Sequence, residues 1–99
     1  MPSRDEVVDA LRGVVDPELG MSIVDLGLIY RIGLEGGGID LDVTFTYPGC
    51  PAEAIIREDM ARILRRIFGV EPRIATVWTP LWGPELMSEE ARISLGYPI

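Results

Sequence analysis

Few side chains in this sequence are equipped for chemistry. Among its 99 residues there is one cysteine, Cys50, and there is no histidine or lysine. The reactive groups therefore reduce to one thiol, the carboxylates and a few hydroxyls. Cys50 lies in the run Thr46-Tyr47-Pro48-Gly49-Cys50-Pro51, with an alternating strand pattern before it and an amphipathic helical pattern after it. Proline is favoured at the first helical position, where its missing N–H costs nothing. With Pro51 in that place Cys50 becomes the N-cap, and the free N–H groups of Ala52 and Glu53 point back towards its sulfur. The helix dipole adds partial positive charge there. Both effects favour the thiolate, the nucleophilic and metal-binding form, and predict a thiol pKa below the ~8.5 of free cysteine. Glu53 opposes them, as a second anion one turn away. The competing reading is a small buried hydrophobe, since free cysteine is among the most buried residue types.

Much common chemistry is excluded. Without histidine, no Ser-His-Asp or Cys-His pair forms within one chain. Without lysine there is no Schiff base and no P-loop, and Gly36-Gly37-Gly38 reads as a turn. One cysteine rules out an intrachain disulfide or a zinc ribbon and suits a reducing compartment; a cytoplasmic location is expected. Iron–sulfur clusters usually take four thiolates, so any cluster here must be shared across a homodimer, with a partner, or with small thiols. Asp16 and Glu18 flank Pro17, and Asp25 follows. Asp before Pro is commonly turn chemistry; a functional acid is the alternative. The net charge of −7 argues against a nucleic-acid partner. No apolar run approaches the ~18 residues of a membrane span. All nine positive charges are arginines, and those between Arg57 and Arg73 complement a helix C-terminus.

The elements that position these groups follow from periodicity. Ser3-x-x-Glu6 is a capping box, and Val7, Val8, Leu11, Val14 and Val15 recur at helical spacing, which predicts a helix over 4–14. Ser22 and Asp25 cap a single turn ended by Gly27. Residues 28–34 alternate, with Leu28, Tyr30, Ile32 and Leu34 on one face. After a glycine hairpin loop, Ile39, Leu41, Val43 and Phe45 face inward, while Asp40, Asp42, Thr44 and Thr46 face outward. The main helix covers 52–68, with an apolar stripe of Ile55, Ile56, Met60, Ile63, Leu64 and Ile67. Glu53/Arg57 and Glu58/Arg62 are its i,i+4 ion pairs. A third strand runs from Arg73 to Thr79, and Ser88 caps a last helix through Leu95.

The fold class expected is α+β: a two-layer α/β sandwich in the order α-β-β-α-β-α, forming one domain over 1–99. A right-handed crossover between strands 2 and 3 and strand order 2-1-3 give a three-stranded antiparallel sheet with helices on one face.

Three segments in order carry a resemblance. The first is Asp16-Pro17-Glu18-Leu19 leading into Ser22-Ile23-Val24-Asp25-Leu26-Gly27-Leu28-Ile29-Tyr30. The second is Thr46-x-Pro48-x-Cys50-Pro51. The third is Trp78-x-Pro80-x-Trp82, followed by Met87-Ser88-Glu89-Glu90-Ala91-Arg92 and Leu95-Gly96. Together they resemble the small iron–sulfur cluster assembly domain family that includes SufT- and PaaD-like metal–sulfur cluster biosynthesis proteins. The resemblance implies a two-layer α/β domain with a reactive cysteine, acting as an accessory factor in iron–sulfur cluster maturation and not as an enzyme. It implies a functional site of Asp16, Glu18, Leu19, Thr46 and Cys50, with Cys50 as the metal ligand. It implies no stably bound cofactor beyond a transient cluster or iron, and as partners the iron–sulfur assembly machinery and apo acceptor proteins. Relatives often carry a small hydroxyl residue where this chain has Tyr47. PaaD-type members carry an extra cysteine-bearing C-terminal segment that these residues do not show, so a role in phenylacetate degradation is not expected. Trp78 and Trp82 read either as pocket walls or as core packing. The rival function is a non-catalytic protein-interaction module in which Cys50 is structural.

Overall fold

The capping box at Ser3 forms as the sequence predicts. The Ser3 hydroxyl accepts from the Glu6 N–H at 3.1 Å, and the Glu6 carboxylate accepts from the Ser3 N–H at 2.9 Å. The computed structural model describes residues 2–96, so the ends of the expected 1–99 domain lie outside the described residues. Helix α1 spans Arg4–Leu11 and stops short of the predicted residue 14. A short hairpin follows, β1 (Val15–Asp16) with β2 (Met21–Ser22), which the periodicity did not reveal because each strand has two residues. The main sheet contains β3 (Ile29–Gly33), β4 (Asp40–Val43) and β5 (Arg73–Thr76). Helix α2 (Glu53–Phe68) connects β4 to β5, and α3 (Glu89–Leu95) closes the described chain.

The expected strand order is corrected. The sheet runs β3-β4-β5, so the second strand is central and not the first. β3 pairs antiparallel with β4, whereas β4 and β5 are parallel, so the sheet is mixed and not purely antiparallel. Burial explains the order. Ile39, Leu41, Val43 and Phe45 are all almost completely buried, and the strand with the most apolar row takes the centre. β5 has no buried residue, and its outward positions are exposed, as an edge strand tolerates. A helical crossover is the ordinary way to join adjacent parallel strands.

A register shift between Ile29 and Arg31 alters β3. Ile29 stands opposite Val43 and Ile32 opposite Leu41, so Tyr30 leaves the expected Leu28–Leu34 row. Its hydroxyl instead donates to the Pro80 carbonyl at 2.8 Å. A bulge of this kind re-aims one side chain. Arg31 bridges Asp42 at 2.9 Å and Asp40 at 3.0 Å on the exposed face of the β3/β4 pair.

Helix α2 buries only part of its predicted stripe. Ile56, Met60 and Leu64 are buried and Ile63 partly so, while Ile55 and Ile67 are each 53% exposed. Neither predicted i,i+4 pair forms: Arg57 reaches β5, and Arg62 pairs with Asp59 at 3.0 Å. The tryptophans take the packing reading. Trp78 stacks at a tilt on Phe45, with ring centroids 6.3 Å apart, and the Trp82 indole donates to the Leu26 carbonyl at 2.7 Å.

Candidate functional site

The turn between β1 and β2 is wound around Asp16. Its carboxylate accepts from the N–H of Glu18 at 2.8 Å and of Leu19 at 3.3 Å. The Gly20 N–H closes the loop on the Asp16 carbonyl at 2.7 Å. Asx turns of this type are what aspartate before proline favours. Asp16 is only 1% exposed, so its charge is held by these donors and not by water. The turn and the functional acid are thus not rival structures: Asp16 makes the turn, and the turn presents Glu18.

Glu18 meets the loop that follows β4. The Cys50 thiol donates to Glu18 Oε1 at 3.2 Å. The Tyr47 hydroxyl donates to the same carboxylate, 3.3 Å from each oxygen. Asp16, Glu18, Tyr47 and Cys50 therefore form one cluster across residues far apart in sequence. Leu19 joins it through its backbone N–H, and the residue is 37% exposed. Thr46 is a chain neighbour, half-buried, and no hydrogen bond links its hydroxyl to the cluster. Tyr47 is the member that the sequence did not offer, because a tyrosine in place of a small hydroxyl gave no sign of which carboxylate it would meet.

The helix start differs from expectation, and with it the electrostatics of Cys50. The N-cap of α2 is Ala52, not Cys50, and Glu53 is the first helical residue. Cys50 lies two residues before the cap, its carbonyl accepting from the Glu53 N–H at 3.1 Å in a preliminary turn. The predicted lowering of the thiol pKa is overturned. Burial pushes the Cys50 thiol up, and the hydrogen bond to Glu18 and the negative charges of Glu18 and Asp16 push the same way. Only the Ala52 N–H, the surviving part of the helix-terminus effect, pulls it down. The sulfur residue is 4% exposed and belongs to the hydrophobic core. The Tyr47 hydroxyl is likewise raised, by lost hydration and by the neighbouring Glu18 and Cys50.

Beside this cluster lies an open cleft of about 580 Å³ between α2 and β5, lined among others by Cys50, Glu53, Arg57, Glu58, Pro72 and Ile74. Arg57 crosses from α2 to the edge strand, donating to Thr76 Oγ1 at 2.6 Å and to the Ile74 carbonyl at 2.8 Å. Neither tryptophan lines the cleft. Chemically the site offers one soft sulfur donor with a carboxylate as its proton acceptor. Among the described residues no three cysteine or acidic side chains converge as a ready metal site. No helix among the described residues is long and apolar enough to cross a membrane.

Comparison with known proteins agrees with this frame. A Porphyromonas gingivalis Fe-S protein maturation auxiliary factor is 35% identical over 98% of this chain and 94% of its own length. The Staphylococcus aureus Fe-S protein maturation auxiliary factor SufT is 38% identical over 84% of this chain and 97% of its own length. A crystal structure of a domain of unknown function from Bacillus anthracis superposes with a TM-score of 0.87 at 36% identity, covering 95% of this chain and 92% of that one. Residues 4–76 match the iron–sulfur cluster assembly protein family, and the chain belongs to that family.

Proposed function

We propose that this protein is an accessory factor in iron–sulfur cluster assembly or maturation, in which Cys50 ligates or passes iron, sulfur or a cluster. The observation that carries the reading is the 3.2 Å contact between the Cys50 thiol and the Glu18 carboxylate. A thiol must lose its proton to bind metal, and here the only thiol has a proton acceptor already in contact. In this reading Asp16 fixes the turn that presents Glu18, and the Tyr47 hydroxyl donates to the same carboxylate beside the thiol. The partners are the iron–sulfur assembly machinery and apo acceptor proteins. A homodimer is one way to supply the missing ligands, since C₂ pairing doubles a site. The protein acts as a carrier or helper without catalytic turnover of its own.

Cluster transfer to an apo acceptor, measured with wild type and Cys50→Ser, tests this directly. Transfer should collapse in the variant, and equal transfer would remove Cys50 from the mechanism. A second reading, a protein-interaction module with a structural cysteine, draws on the burial of Cys50 in the core. Cys50→Ala with undiminished complementation in cells and undiminished capture of the assembly machinery would favour it.

A further inference from the structure

Arg57 is a cation without a counter-ion. Its two hydrogen bonds go to a hydroxyl and a carbonyl, both neutral, and among the described residues no carboxylate stands within ion-pair distance of it. Arg4, Arg66 and Arg73 also lack an ion pair among the described residues, but Arg57 differs from them in being fixed by two hydrogen bonds at the wall of the cleft that Cys50 lines. Glu53, one turn back on the same helix face, leaves it unpaired. A guanidinium has five N–H donors in a rigid fork, so the two bonds that fix Arg57 to β5 leave others for a ligand. Such a fork matches a carboxylate. Arg57 lines the same cleft as Cys50, and Glu53 and Glu58 line it too. Glu53 has no ion pair among the described residues, and Glu58 has only a 3.3 Å contact with Arg65 at the surface.

We infer that the Cys50 cleft binds a small zwitterionic aminothiol, of the class of cysteine itself: its carboxylate on Arg57, its ammonium facing Glu53 and Glu58, and its sulfur beside Cys50. A purely anionic thiol would meet the two glutamates, and a purely cationic one would meet Arg57; a ligand carrying both charges satisfies the cleft. At about 580 Å³ the cleft admits a molecule of that size. The bound thiol would supply a sulfur ligand that the chain itself lacks. That coligand role rests on the reading of Cys50 as a cluster ligand, whereas the binding site does not.

Thiol–disulfide exchange tests the site without iron. The Cys50 thiolate attacks one sulfur of a symmetric disulfide, the old S–S bond breaks, a mixed disulfide forms and one small thiolate leaves. The rates are compared for L-cystine, cystamine (no carboxylate) and dithiodipropionate (no amine), each relative to an unstructured cysteine peptide. Wild type should favour cystine over both by about tenfold, the scale of one charge-assisted hydrogen bond. Arg57→Gln should abolish the advantage over cystamine, and Glu53→Gln/Glu58→Gln the advantage over dithiodipropionate. Ratios equal to those of the peptide, or unchanged by the substitutions, would overturn the proposal. Arg57 also ties α2 to β5, so circular dichroism accompanies its variant; if Arg57→Gln fails to fold, the double glutamate variant and the peptide comparison decide alone. Selective exchange in a protein that takes up no cluster on anaerobic reconstitution would sink the cluster reading and support the binding site. Cluster uptake with unselective exchange would do the reverse.

Discussion

Asp16→Ala should damage both the fold and the site, because one carboxylate organises the turn that presents Glu18. The side chain is 1% exposed and accepts two backbone hydrogen bonds, at 2.8 and 3.3 Å. Hydrogen bonds to charged groups contribute about 1.5–3 kcal/mol each, and the longer one counts for less, so the gross loss is about 3 kcal/mol. Relief from keeping a carboxylate buried offsets about 1 kcal/mol of that, leaving about 2 kcal/mol. In a domain of this size each kcal/mol moves Tm by roughly 4–8 °C, so a fall of roughly 8–16 °C is expected. Asp16→Asn keeps an oxygen acceptor in the same place and should lose about half as much or less. Urea unfolding of the three proteins, with m unchanged, measures the difference. The alkylation profile of Cys50 adds a site readout: the alanine variant frees Glu18 from the thiol, so its midpoint should fall further than that of the asparagine variant, which loses only the Asp16 charge. If the alanine and asparagine variants are equally stable, the hydrogen-bonded turn is not what Asp16 provides, and the reasoning fails.

Because burial and Glu18 raise the Cys50 thiol, its alkylation midpoint should lie above that of a free cysteine, and Glu18→Gln should lower it; a midpoint below the free value would restore the helix-cap argument. The same shift makes the folded state hold its proton longer than the unfolded chain, so this group's contribution to stability is complete below the ordinary thiol pKa of ~8.5 and declines as pH rises through the folded value. Thermal melts of wild type and Cys50→Ala on either side of that pH should show a decline that the variant lacks. Gly27 has φ +76°, and a Cβ there would collide with the Leu86 carbonyl, whereas Gly20 at φ +69° has open space around it. Gly27→Ala should therefore cost clearly more than the about 1–2 kcal/mol of left-handed backbone strain expected for Gly20→Ala; equal melting temperatures would reject the close approach. Leu41→Ala, at a fully buried position of the central strand, should destabilise by about 2–5 kcal/mol in the same urea assay.

What the sequence disclosed and what it withheld divide along the distance between interacting residues. The capping box at Ser3, the turn at Asp16, the loop at Gly36 and the two main helices are set by neighbours within a few residues, and each is readable from spacing. The strand order is a competition between whole strands for the centre of the sheet. It turns on how completely the Leu41 and Val43 row is covered, which no local pattern states. The same division runs through the site. Cys50 stood out as the candidate by elimination, since the chain has no other thiol. Its electrostatics were not readable, because the local helix-terminus effect from Ala52 is opposed first by burial of the thiol in the tertiary fold and then by Glu18, which lies 32 positions away. Arg57 shows the principle most plainly: spacing assigned it to Glu53, but the edge of β5 offered a hydroxyl and a carbonyl that fix its fork in one place. A pair on an exposed helix face is worth only about 0.2–0.5 kcal/mol, less than two hydrogen bonds from a charged donor. The tertiary contact wins, and Glu53 and Arg57 are left as separate charges along one cleft.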